Sequence, residues 1–193
     1  MSIQGWLAAM AAMTLGVGCT TPPGTSTLLD SNWTSVQGQH AALKDWMGER
    51  ATVFFTMDPT CPITQLYTQA YTEFAAKYAG QGVKVIGVYA GPFMQQEEAA
   101  AFAADAGLDF PQVVDDACQL SVALQARVTP ECFIVDPAGQ VVYRGALDDR
   151  PVRQGRKKPA AARNYLSDAM DAYLATGKPQ REVVAVGCIV ECD

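Results

Sequence analysis

Apolar positions along the chain follow two periods. Between residues 62 and 78 they fall at Ile63, Leu66, Tyr67, Ala70, Tyr71, Phe74, Ala75 and Tyr78, the spacing of one buried helix face. Pro62 suits the first helical position, where a missing N–H costs nothing, and Gly80 and Gly82 close the segment. Two short apolar runs flank this helix, Ala51-Thr-Val-Phe-Phe-Thr56 and Val83-Lys-Val-Ile-Gly-Val-Tyr89, and both read as buried strands. A second helix is marked by Ala99, Phe102, Ala103 and Ala106 and stopped by Gly107. Val113-Val114 is a short strand, and Leu120 to Leu124 lie in a further helix. Cys132–Val135 and Gln140–Arg144 flank the turn Asp136-Pro-Ala-Gly139 as a hairpin. Tyr165, Leu166, Ala169, Met170, Tyr173 and Leu174 give a last amphipathic helix, ended by Gly177 and Pro179. Upstream, residues 29–46 read as a strand, a turn at Gly38, a second short strand and a helical turn. Strands separated by helices imply parallel pairing, and the late hairpin adds antiparallel strands. The expected fold is α/β, three-layered, with a mixed central sheet covered by helices on both faces.

The first residues follow neither period. WLAAMAAMTLGVG, residues 6–18, is too short to span a bilayer comfortably and suits the core of a signal peptide. TTPPGTST follows, a polar segment rich in turn formers that suits a flexible tether. The organisation expected is a signal peptide over 1–18, a tether over 19–28, a domain over 29–177 and a tail over 178–193 carrying Cys188 and Cys192. Leu15-Gly-Val-Gly-Cys19 resembles the bacterial lipoprotein signal, in which the Cys is lipidated and anchors the protein to a membrane. No Lys or Arg precedes Lys44, unlike the basic start usual for such signals. A buried N-terminal helix with an incidental Cys19 is the alternative. Export would place the protein in a periplasm or cell envelope, where disulfides persist.

Charge and composition narrow the chemistry. A net charge of −6 argues against general nucleic-acid binding. A single histidine, His40, excludes sites built from several. The six cysteines stand at 19, 61, 118, 132, 188 and 192, with no C-x-x-C pair for a zinc ribbon or a haem. No metal or other cofactor is expected. The basic run Arg153, Arg156, Lys157, Lys158 reads as a solvated loop, and Asp148-Asp149-Arg150 as residues that cap or pair locally.

The order of elements, with Cys61-Pro62 after the first core strand and Thr129-Pro130 before the hairpin, resembles the thioredoxin fold. More narrowly it resembles the redoxin branch, the AhpC/TSA type, which holds peroxiredoxins and thioredoxin-like disulfide reductases. Four segments carry the resemblance: GQHAALKDWMGERATVFF, PTCPIT, RVTPECFIVDPAGQVVYRG, and YRGALDDR followed by GRKKP and a late AVGC. The last combination is similar to a group of uncharacterised bacterial secreted redoxin-domain proteins. The resemblance implies a reactive Cys61, whose place before a helix favours the thiolate. It also implies a cis Thr129-Pro130 bond and substrate positioning by Pro62, Thr64, Thr129 and Pro130. Thioredoxins carry a second cysteine where this chain has Thr64, so a resolving thiol must come from elsewhere. Cys188 is the first candidate, with Cys118 and Cys192 as alternatives, while Cys188 and Cys192 could instead pair with each other. About ten residues separate Pro179 from Cys188, a reach of roughly 30 Å. Cys132, on a core strand, reads as a packed residue.

These features imply an exported thiol–disulfide oxidoreductase acting on protein thiols and disulfides. A thiol peroxidase is the alternative enzyme, although Phe54 and Asp58 stand where peroxiredoxins place Pro and Thr or Ser. A copper-handling module, using Cys188-x-x-x-Cys192, and a non-catalytic interaction domain are further alternatives.

Overall fold

The computed structural model describes residues 24–153 and 155–192. The expected signal segment and Cys19 lie outside the described residues. The last part of the expected tether does not: Thr25–Leu28 is a 3-10 turn with Thr25 and Leu28 buried. Leu28 packs with Leu43, Phe54 and Leu120, so the folded chain starts upstream of residue 29.

In chain order the elements are β1 (Asn32–Thr34), β2 (His40–Ala42), α1 (Leu43–Trp46), β3 (Ala51–Met57), α2 (Pro62–Tyr78), β4 (Val83–Ala90), α3 (Gln96–Asp105), β5 (Gln112–Asp115), α4 (Gln119–Leu124), β6 (Val128–Thr129), β7 (Cys132–Val135), β8 (Val141–Gly145), β9 (Pro151–Arg153), β10 (Arg156–Lys157), α5 (Tyr165–Thr176) and β11 (Cys188–Ile189). The central sheet runs β5-β4-β3-β7-β8. β3 pairs in parallel with β4, and β4 with β5, whereas β7 is antiparallel to both β3 and β8. This is the mixed sheet expected of a thioredoxin-like α/β fold.

Both faces of the sheet are buried, because successive side chains of β3 point to opposite sides. Val53, Phe55 and Met57 meet Tyr71, Phe74 and Tyr78 of α2, together with Leu166 and Met170 of α5. Phe54, Ile86 and Val88 meet Leu120 and Leu124 of α4 on the other side. The buried carboxylate of Asp115 accepts the backbone N–H groups of Leu120 and Ser121 at 3.2 and 2.7 Å, which satisfies donors left open at the start of α4.

The basic run departs from expectation. Its side chains are exposed, as expected, but β9 and β10 pair as a short two-stranded ribbon where a loop was expected. Asp149 fixes its base by accepting Lys158 Nζ at 2.6 Å and the N–H groups of Ala162 and Arg163 at 2.8 and 3.1 Å.

Candidate active site

Cys61 sits just outside the first turn of α2. After β3 the chain turns through Asp58, whose carbonyl accepts the Cys61 N–H at 3.1 Å. This leaves Cys61 extended at the helix N-cap, φ −76° and ψ 117°, with Pro62 following. The Asp58 carboxylate is occupied locally, accepting the N–H and the hydroxyl of Thr60 at 2.7 and 2.8 Å. Cys61 itself is 1% exposed.

The loop before β7 faces it. Thr129–Pro130 is a cis peptide, and the Cys61 thiol donates to the Thr129 carbonyl at 3.2 Å. Thr64, where thioredoxins have their second cysteine, is fully buried. Its hydroxyl accepts the Asp58 N–H at 3.4 Å and stands 3.3 Å from the Thr129 hydroxyl. Thr64 therefore ties the cysteine loop to the proline loop. Behind them, the Thr56 hydroxyl donates to Val128 O and accepts the Glu131 N–H, both at 2.8 Å. The buried Glu131 carboxylate accepts the Arg127 N–H at 2.9 Å and its guanidinium at 3.1 Å.

After α5 the tail returns across this end of the sheet. It first lies along β8: Gln180 N–H donates to Val142 O at 2.7 Å, Val183 N–H to Arg144 O at 3.2 Å, and Ala146 N–H to Val183 O at 2.9 Å. Arg127 also pairs with Glu182. Then β11 pairs antiparallel with β6, Cys188 opposite Thr129 and Ile189 opposite Val128. Two glycines make this seat. A Cβ on Gly145, whose φ is +147°, would lie 1.9 Å from Val183 O; one on Gly187 would lie 2.4 Å from Thr129 O. No side chain can occupy either position without moving the tail.

The seat brings Cys188 Sγ to 2.7 Å from Cys61 Sγ, near disulfide distance. The Cys188 thiol is pushed up to about 12, first by burial, then by its hydrogen bond to Cys61 and the Cys61 charge, and last by Asp58. Four residues further on, Cys192 forms a disulfide with Cys118, Cα–Cα 5.5 Å. This corrects two expectations. Cys118 and Cys192 are not spare partners for Cys61, since they hold each other, and Cys188 does not pair with Cys192. The reason is direction: past β6 the tail continues toward the end of β5, where Cys118 lies. Cys132 faces the core at 1% exposure, and burial pushes its thiol well above its ordinary range, with Glu131 and Asp148 adding to the shift.

Two clefts open near the site, one at Cys188 and one at the start of α2. One, of about 530 Å³, includes Asp58, Phe93, Thr129, Cys188, Ile189 and Glu191. Another, of about 220 Å³, lies between Pro62, Ile63 and Leu66 of α2 and the β9–β10 ribbon. A further group pairs locally as expected but also takes in a distant tyrosine. The buried Asp148 carboxylate accepts the Tyr67 hydroxyl and pairs with Arg150 at 2.6 Å, and the Arg150 guanidinium lies 4.4 Å from the Tyr67 ring centroid. The sequence signal was the local Asp148-x-Arg150 spacing; the tyrosine comes from 81 residues away. His40 stands apart from the site, in the β1–β2 hairpin beside Thr34, 2.9 Å from its hydroxyl. Among the described residues, no three His, Cys, Asp or Glu side chains gather as metal ligands.

Solved structures similar to this chain share its architecture. An uncharacterised conserved protein from Geobacillus kaustophilus is 25% identical, with TM-score 0.72 over 82% of this chain and 86% of its own. A hypothetical protein from Sinorhizobium meliloti is 24% identical, with TM-score 0.71 over 91% and 97%. A secreted Mycobacterium tuberculosis disulfide oxidoreductase homologous to E. coli DsbE is 16% identical, with TM-score 0.54 over 77% and 97%, a likeness of fold. No curated protein matches in sequence. The AhpC/TSA family profile matches residues 25–144, which include β3, the Cys61 loop, α2, the cis-proline loop and the β7–β8 hairpin. The chain belongs to the AhpC/TSA family.

Proposed function

We propose that the protein is an exported thiol–disulfide oxidoreductase acting on protein thiols and disulfides, with Cys61 as the exchanging thiol and Cys188 as its resolving partner. The observation that carries this reading is the 2.7 Å separation of the two sulfurs across a seat made by the chain itself. In the reducing direction the Cys61 thiolate attacks one sulfur of a substrate disulfide. The substrate's other sulfur leaves as a thiolate and takes up a proton. Cys188 then loses its proton and attacks Cys61 Sγ, which releases the second substrate thiol and leaves a Cys61–Cys188 disulfide. Two electrons pass to the substrate, and run backwards the same steps oxidise a dithiol. Once Cys61 is in a mixed disulfide it carries no charge, so one cause of the raised Cys188 value disappears as Cys188 must react. Export is supported by the apolar stretch at residues 6–18, with Cys19 as the candidate lipid tether, and by the Cys118–Cys192 disulfide.

Peptide mapping after mild oxidation tests the pairing. A Cys61–Cys188 peptide beside the Cys118–Cys192 peptide is expected; Cys61 left free in fully oxidised protein would remove the reading. Family membership favours peroxide reduction as a second reading. Against it, Asp58 and Phe54 stand where peroxide chemistry wants a hydroxyl and a proline, and among the described residues the Cys61 sulfur is hydrogen-bonded to a carbonyl and a thiol alone. Stopped-flow mixing of reduced protein with hydrogen peroxide should give slow sulfenic acid formation at Cys61. Fast formation would promote the peroxidase.

A further inference from the structure

That chemistry requires a substrate sulfur to reach Cys61. Cys61 is 1% exposed, and the backbone edge of Thr129 beside it is already paired with the protein's own tail. The tail's non-covalent hold near Cys61 is slight. β11 has two residues, and so short a pairing is marginal by itself. Val190 N–H adds one bond, to Arg127 O at 3.1 Å. The apolar side chains of Val184 and Ile189 are 78% and 80% exposed, so their area is not removed from water. The strongest tie is covalent. The Cys118–Cys192 disulfide fastens the tail four residues beyond Cys188, and both of its cysteines are partly exposed while Cys61 is not.

We propose that Cys118–Cys192 is a second redox site, a latch whose reduction frees the tail and opens Cys61 and the Thr129 edge to a cysteine-bearing strand of another protein. This rests on Cys61 being the exchanging thiol and adds how its site is opened. The reductant is a dithiol. One of its thiolates attacks a latch sulfur and breaks the S–S bond. Its second thiol closes on the first, so it departs as a disulfide. Two electrons pass to the latch, and Cys118 and Cys192 each end with a proton. The freed tail leaves β6 and takes Cys188 with it. A closed, self-resolving two-thiol site becomes an open single-thiol site. The latched tail also shows how a guest strand would lie: antiparallel to β6, its cysteine opposite Thr129, and a residue without a Cβ before that cysteine.

The test uses the full chain with Cys188→Ser, which removes the internal partner, and compares an oxidised latch with one opened by Cys192→Ser. The probe is a short extended peptide whose single cysteine follows a glycine and is activated as a mixed disulfide with a chromogenic thiolate. The adduct on Cys61 is located by peptide mapping. At least fivefold faster exchange at Cys61 is expected with the latch open. A smaller change overturns the latch. Absence of exchange at Cys61 in both proteins removes the oxidoreductase reading, and the latch with it. In the unsubstituted protein, amide hydrogen exchange over residues 183–192 should lose protection in step with reduction of Cys118–Cys192. Protection that survives full reduction also overturns the proposal.

Discussion

Cys61 Sγ lies between the carbonyl of Thr129 and the thiol of Cys188, and the position of that thiol depends on a residue with no side chain. A methyl group at position 187 would sit 2.4 Å from Thr129 O, closer than any ordinary contact. Gly187→Ala should therefore shift Cys188 away from Cys61 without altering a cysteine. Formation of the Cys61–Cys188 disulfide by oxidised glutathione should slow by about tenfold or more, a docking loss of about 1.4 kcal/mol. An unchanged rate would show that the close backbone approach does not position Cys188. The Cys188 thiol itself has a predictable pH response. Its value in the folded protein, about 12, lies above the usual thiol value of roughly 8.5. Docking thus favours the protonated form. Its contribution is fully present below about pH 8.5 and fades as pH rises toward 12. Protease cleavage of the tail should accelerate above about pH 8.5 in protein with Cys118–Cys192 intact and Cys61 and Cys188 as thiols; a flat profile would contradict the assignment.

At the scale of elements, α2 and the proline loop depend on each other through Thr64. Thr64→Val keeps the shape but leaves the Asp58 N–H without its acceptor and the Thr129 hydroxyl without its neighbour. A loss of about 1–3 kcal/mol is expected in denaturant unfolding, with faster alkylation of Cys61. The β9–β10 ribbon depends in the same way on Asp149. Its carboxyl is held down at about 2 by Lys158 first, then by the backbone N–H groups of Ala162 and Arg163. The contribution is present above about pH 4 and lost as pH falls through 2, so proteolysis within 151–158 should rise over that interval. These elements also mark what a sequence discloses. α2 was legible because eight apolar side chains repeat on one face, and β3 and β4 because nearly every residue is apolar. β6 and β11 have two residues each, too few to show any period, and exist only because they pair with each other. Thr64 was visible as a departure from a motif, but its role as a tie needed the Thr129 hydroxyl in place. The AVGC segment pointed to Cys188; the Cys118–Cys192 link, across 74 residues, had no local signal.

At the scale of the molecule, that link encloses α4, β6, β7, β8, the ribbon, α5 and β11 in one loop. Loop-closure entropy alone assigns such a cross-link about 4 kcal/mol. A freed tail recovers part of this in the folded state, so reduction should lower the melting temperature by only a few degrees. A drop above ten degrees would mark a structural staple instead of a latch. The tail's path along β8 carries another consequence. The sheet has two edges, β5 and β8, and each is covered by a segment of the same chain. Val36 N–H donates to Gln112 O on β5 at 2.7 Å, and Gln180 and Val183 donate to Val142 and Arg144 on β8. Unpaired edges are templates for joining one molecule to the next. The tail is therefore also a guard against self-association. A chain ending at Gly177 should keep its core yet form dimers or larger assemblies by light scattering, through β8, at concentrations where the whole chain remains monomeric.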